Sequence, residues 1–171
     1  MKKHGFTLAE VLITLAILGV LAVLTIPNLS TEARREANAK HFGVAVSAVE
    51  NALASGILIE GRRNIDDTTL LSNLCDTQNG LARYLVGTCR DNSTITMKNG
   101  AVLTFAGRNI QIDVDGANGP GEENNDVFNV QIRDDGIITS TNETTQALME
   151  NGFRISRNKK SNNESNNESN S

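Results

Sequence analysis

The chain has 171 residues, with 16 Lys and Arg against 20 Asp and Glu, for a net charge of −4. Two cysteines and two histidines exclude a disulfide-dense scaffold and a Cys/His zinc module, while 39% hydrophobic residues allow one core of ordinary size. The acidic balance excludes broad electrostatic capture of nucleic acid, which needs Lys and Arg arrayed along a face; the pairs Arg34-Arg35 and Arg62-Arg63 are isolated and read as solvated.

The first element is an apolar run from Phe6 to Ile26 in which Glu10 is the only ionisable side chain. As a helix rising about 1.5 Å per residue, this run is about 30 Å long and can cross a bilayer's hydrocarbon core. A carboxylate in such a segment costs about 2.5–3.5 kcal/mol at the bilayer centre and less near an end. Glu10 therefore calls for a partner. A secretory signal peptide would be shorter and end in a small-x-small cleavage site, and a plain anchor leaves Glu10 unexplained. A buried core helix of a soluble domain rarely carries so long an apolar run.

The residues ahead of the run read Met1-Lys2-Lys3-His4-Gly5-Phe6-Thr7-Leu8-Ala9-Glu10. A basic leader ends in Gly, Phe-Thr-Leu follows, and a Glu stands fifth after the Gly. This closely resembles the N-terminus of type IV prepilins and of the pseudopilins of type II secretion systems. His4 is a small departure, since the family often has Lys or Arg there. The resemblance implies that a membrane-embedded prepilin peptidase cuts between Gly5 and Phe6 and methylates the new amine of Phe6. It makes Glu10 the acid used in filament assembly, and Pro27 matches a proline the family often carries just past the apolar run. Elementary electrostatics agrees with the motif. Cleavage leaves a positive amine on Phe6, and in a bundle of such helices it can approach Glu10 of a neighbouring subunit. Either charge buried alone costs several kcal/mol, whereas the pair neutralises itself and sets register. Ala9, Ala16, Gly19 and Ala22 permit close helix approach.

Loss of the leader, residues 1–5, takes Lys2 and Lys3 with it and moves the net charge from −4 to −6. The resemblance implies that residues 6–27 form the membrane and filament-core helix and 28–157 an extracytoplasmic domain. The basic leader fits a cytoplasmic N-terminus, so the chain is expected as a single-pass protein of a bacterial inner membrane.

Past Pro27, which should kink or loosen the helix, helical spacing continues. Phe42, Val46, Val49 and Leu53 fall on one stripe, and Gly56 or Gly61 should end the helix. Residues 57–93 read as irregular, with a short helix near Asn79–Leu85. Cys75 and Cys89 lie there, 14 residues apart; in an exported domain they suggest one disulfide, against which stand two free buried thiols.

Strand signals follow. Thr94–Met97 and Ala101–Phe105 flank Lys98-Asn99-Gly100, a hairpin signal; Asn109–Val114 and Val127–Ile132 alternate; Asp135-Gly136 turns into Ile137–Thr139. Four or five antiparallel strands on a helix make an α+β domain, as in the pilin-like fold that the N-terminal resemblance implies. Thr144–Glu150 reads as a short helix ended by Asn151-Gly152. The last 14 residues, Asn158 to Ser171, repeat Ser-Asn-Asn-Glu without an apolar residue, a composition expected to be disordered.

Between two strands lies the acidic segment from Asp113 to Asp126. Asp113, Asp115, Asn118 and Asp126 offer oxygens of the kind calcium takes, and Gly116, Gly119 and Gly121 let the backbone wrap an ion. It is not an EF-hand, because the Gly directly follows the second Asp and no Glu closes the loop. It looks like the acidic loop that binds calcium in major pseudopilins, and it also reads as a solvated connection of common turn formers.

No catalytic motif is present. His4 leaves with the leader, His41 stands alone on the helix stem, and Asp66-Asp67 and Asp134-Asp135 read as solvated pairs. The expectation is a non-enzymatic filament subunit. Its partners would be prepilin peptidase, other pilin or pseudopilin subunits and a membrane assembly platform, with no direct nucleic acid. The acidic loop inclines it toward a secretion pseudopilus over a surface pilus. The reading from a different class is a membrane-tethered binding module that never polymerises.

Overall fold

A computed structural model describes residues 7–116 and 121–155, without the side chains of residues 22–30. One helix, α1, runs from Leu8 to Ile59. Its backbone stays helical through Pro27, so the proline does not end it. The helix stops as the second of the two expected glycines allows. Gly61 takes φ 64°, its N–H reaches Leu58 O at 3.2 Å, and the Arg62 N–H reaches Ile57 O at 3.1 Å. These two bonds close the last turn in the manner of a Schellman motif.

The two halves of α1 differ in what surrounds them. Every residue from Thr7 to Leu21 is exposed. In the second half, Phe42, Val46, Val49 and Leu53 are at most 2% exposed and face a sheet. By length and apolar content Thr31–Ile59 could also cross a membrane, but half of its most apolar window is buried in the domain. It is therefore a core helix, and the exposed half is the candidate span.

Six antiparallel strands form one meander in which each strand pairs with its neighbours in sequence: β1 Gly87–Asp91, β2 Thr94–Met97, β3 Val102–Ala106, β4 Asn109–Asp113, β5 Val127–Ile132 and β6 Ile138–Thr139. The last five are the expected strands. β1 is a correction to the four or five expected. Its sequence, Gly-Thr-Cys-Arg-Asp, has no apolar alternation because both of its faces are largely exposed. It forms as an edge strand on β2, with Cys89 opposite Ile95. At the β2–β3 turn, Gly100 takes φ 93° and the Met97 N–H meets Ala101 O at 2.8 Å, as a three-residue hairpin with glycine at its left-handed position requires.

Alternation sends Ile95, Leu103, Ile110, Ile112, Phe128, Val130 and Ile132 inward against α1. Phe42 stacks on Phe128, with ring centroids 4.2 Å apart, and meets Phe153 edge-on at 5.5 Å. The segment between α1 and β1 covers one end of this core with Ile65, Leu70, Leu74 and Leu81, all at most 2% exposed. Its expected short helix is only a 3-10 turn, Leu81–Arg83. Cys75 and Cys89 are joined in a disulfide with Cα atoms 5.8 Å apart, tying this segment to β1. Closing a loop of that length is worth about 3 kcal/mol in the chain-entropy account.

A second helix, α2, spans Glu143–Glu150. The Asn142 side chain caps it by accepting the N–H groups of Thr144 and Thr145 at 3.0 and 3.2 Å. Arg108, in the β3–β4 turn, donates to Asp66 and to Asp134, so one member of each expected solvated acidic pair is engaged. These hydrogen bonds, to Asp66 first, hold the guanidinium all the more firmly protonated.

Candidate functional site

The expected assembly acid lies in the first turn of α1. Thr7 is the N-cap, with extended backbone, and its hydroxyl oxygen accepts the Glu10 N–H at 3.3 Å. The Glu10 carboxylate turns back toward the chain terminus. Its Oε2 accepts the Thr7 N–H at 2.8 Å and the Thr7 hydroxyl at 2.9 Å. This reciprocal arrangement is a capping box, which satisfies two of the N–H groups a helix start leaves open. The pattern Thr-x-x-Glu, which the sequence analysis did not use, is its signature in the sequence. The capping box places a carboxylate one peptide from Phe6, at the positive end of the helix dipole. Gly5 and Phe6 themselves lie outside the described residues.

Beyond this cap, the exposed side chains of Leu8, Val11, Leu12, Ile13, Leu15, Ile17, Leu18, Val20 and Leu21 cover the helix on all sides. A helix apolar and exposed all round belongs in hydrocarbon or among other helices. Residues 1–26 match the family model described as the prokaryotic N-terminal methylation motif. The N-terminus is of the prepilin type. No curated protein and no solved structure matches the chain. The likeness to prepilins therefore rests on the N-terminal segment and on the α+β architecture behind it, a long apolar helix packed on an antiparallel sheet.

A second candidate site is the acidic connection between β4 and β5. Ile112 pairs with Phe128 and Asp113 with Val127, so both ends of the loop are held side by side. The Asp113 carboxylate accepts the Gly116 N–H at 2.8 Å, and the Val114 N–H binds Asp126 O at 2.9 Å. On the other arm, the Glu122 carbonyl accepts the N–H groups of Asn125, Asp126 and Val127. Asn124 adopts φ 61° and its side-chain oxygen accepts the Thr145 hydroxyl at 2.8 Å, fastening the loop to α2.

This folding buries charge. Asp126 is 3% exposed, and its Oδ1 meets no hydrogen-bond donor among the described residues. The Oδ1 of Asn125 is buried in the same condition. Desolvation pushes the Asp115 carboxyl above its ordinary value, and repulsion from Asp126 and Asp113 adds to that. Two of the other expected ligands, Asp113 and Asp126, are thus within electrostatic reach of Asp115. Asn118 lies outside the described residues. Among the described residues, no three His, Cys, Asp or Glu side chains are gathered as a metal-holding group. Asn125 was not among the expected ligands; nothing in its sequence context foretold a buried amide oxygen.

His41 is exposed on α1.

Proposed function

We propose that the chain is a structural subunit of a type II secretion pseudopilus or a type IV pilus-like filament. It enters the inner membrane as a precursor, prepilin peptidase cuts after Gly5 and methylates Phe6, and a membrane assembly platform moves it into a filament with other pilin or pseudopilin subunits. The domain built on the second half of α1 stays outside the cytoplasm. The chain carries no catalysis of its own in this reading, and ATP hydrolysis belongs to a separate motor.

One observation carries this reading: a prepilin-type N-terminus leads directly into a helix whose first half is apolar on every side and holds a carboxylate in its first turn. The test is the intact mass of the protein purified from its host's membranes. A chain beginning at methylated Phe6 is expected. A chain still beginning at Met1 leaves a simple anchor and removes the basis for assembly.

The acidic loop adds a calcium ion to the proposal, held by Asp113, Asp115 and Asp126 with Asn118 and backbone carbonyls. The buried, unbonded oxygen of Asp126 favours it, because coordination would replace repulsion among these carboxylates. The ion would be structural and would incline the assignment toward a secretion pseudopilus. Calcium at a hundredfold excess over its dissociation constant should stabilise the domain by about 2.7 kcal/mol, read as a rise in melting temperature. Asp126→Ala should abolish that rise. A wild-type melting temperature indifferent to calcium refutes the ion.

A further inference from the structure

At the end of the domain nearest the apolar run, α1, the loop before β5, α2 and the segment after α2 line a half-open cavity of about 190 Å³. Ala39, Phe128, Ala147 and Leu148 give it an apolar lining, and Arg35 and Arg154 also line it. The sequence alone left Arg34-Arg35 as an isolated solvated pair. The fold instead brings Arg35 to the same cavity as a second arginine more than a hundred residues away in the chain.

The helix fixes where this cavity stands. Ala39 is the first fully buried residue along the second half of α1, so Arg35 lies one turn below the domain on the membrane side. It follows Ile26 by nine residues, which is about 13 Å of helix. The polar headgroup layer occupies about 5–8 Å on each side of the hydrocarbon core, and a long Arg side chain spans the remaining gap.

The electrostatics match this position. Among the described residues, neither Arg35 nor Arg154 forms an ion pair, while Glu36 is engaged by Lys40 at 3.0 Å. Glu32, Glu143 and Glu150 are near in sequence, yet none lines the cavity. A chain with a net negative charge thus lines this cavity with two arginines and no acid. A guanidinium fork is the side chain best shaped for a phosphate.

We propose that this cavity holds the phosphate headgroup of an anionic membrane phospholipid between Arg35 and Arg154, seating the domain on the bilayer before the subunit is extracted. The site would release its lipid when the subunit leaves the membrane, so it belongs to the waiting subunit and not to the filament. The inference rests on the reading of α1 as a membrane anchor, and it applies equally to the precursor and the processed chain. An unprocessed N-terminus would overturn the filament reading and leave this one standing.

The test is native mass spectrometry of the full chain in detergent supplied with equal phosphatidylglycerol and phosphatidylcholine. The wild type should retain phosphatidylglycerol in preference, by about fivefold for each arginine engaged. Arg35→Gln with Arg154→Gln should erase the preference, Arg35→Lys with Arg154→Lys should keep part of it, and Arg62→Gln with Arg63→Gln, at the other end of the domain, should leave it intact. Two results on the wild type alone overturn the proposal, whatever the variants do: equal retention of both lipids, or displacement of the bound lipid by excess inorganic phosphate. The second would make the cavity a site for a free anion. Undiminished preference in a folded Arg35→Gln, Arg154→Gln chain overturns it as well.

Discussion

The two halves of α1 share one backbone and nearly opposite surroundings. Leu8–Leu21 is exposed on every side, whereas the stripe Phe42, Val46, Val49 and Leu53 is sealed against the sheet. Apolar content does not separate them, since Thr31–Ile59 is also long and apolar enough to cross a membrane. The distribution of polar groups around the axis does. In the second half Arg34, Arg35, Glu36, Lys40 and His41 are exposed, so only one side can enter a core. In the first half the one charge sits in the opening turn, bonded to its own cap. An all-round apolar surface is built for neighbours from outside the chain, and a one-sided surface for neighbours from within it.

The sharpest way to break this comparison is to change one half and read the other. Glu10→Ala removes the only carboxylate of the first half. If that carboxylate pairs with a neighbour's amine in a filament, leaving the amine buried alone costs about 3–5 kcal/mol, enough to take incorporation below detection. The melting temperature of the domain should not move. Filaments are sheared from cells and blotted for the variant subunit; wild-type incorporation would mean the first half is an anchor with no role in assembly. Phe42→Ala is the converse. Phe42 is fully buried between Phe128 and Phe153, and its removal should cost the domain about 3–5 kcal/mol. Thermal unfolding measures that loss, while the mass of the processed N-terminus should stay unchanged.

How much of this could be read in advance differs between the halves in the same way. The apolar run, its acid and the stripe were legible because each is a local pattern with a fixed period. So were β2 to β6, where alternation reports one buried face. β1 was not, because an edge strand exposed on both faces leaves no alternation to read. The ties of Arg108 to Asp66 and Asp134 span 42 and 26 residues, and nothing in sequence spacing encodes such a meeting. The cavity at Arg35 and Arg154 was hidden for the same reason. In the acidic loop the composition was plain, but not the burial of Asp126, which depends on how β4 and β5 hold the loop's ends.

The smallest effect tests whether the edge of the sheet is independent of the helix. Asp91 ends β1, and its Oδ1 accepts the Ser93 hydroxyl at 2.8 Å and the Ser93 N–H at 3.0 Å. These bonds, the hydroxyl's first, hold the carboxyl below its ordinary value of 3.8. A carboxyl depressed in the folded state binds fewer protons there than in the unfolded chain, so its contribution is complete above the unfolded value. It is lost as the pH falls through the lower, folded one. The side chain is fully exposed to solvent screening, so the contribution is small and weakens with salt. Asp91→Asn should therefore lower the melting temperature slightly at neutral pH, and the gap between variant and wild type should close on acidification. A gap that stays constant down to about pH 3 would mean that the charge of Asp91 does not matter and that an amide's hydrogen-bonding geometry accounts for the difference. A large gap at neutral pH would be more consequential. It would show that β1, with the disulfide behind it, is coupled to the core packed on α1, so that the sheet and the second half of the helix melt as one unit.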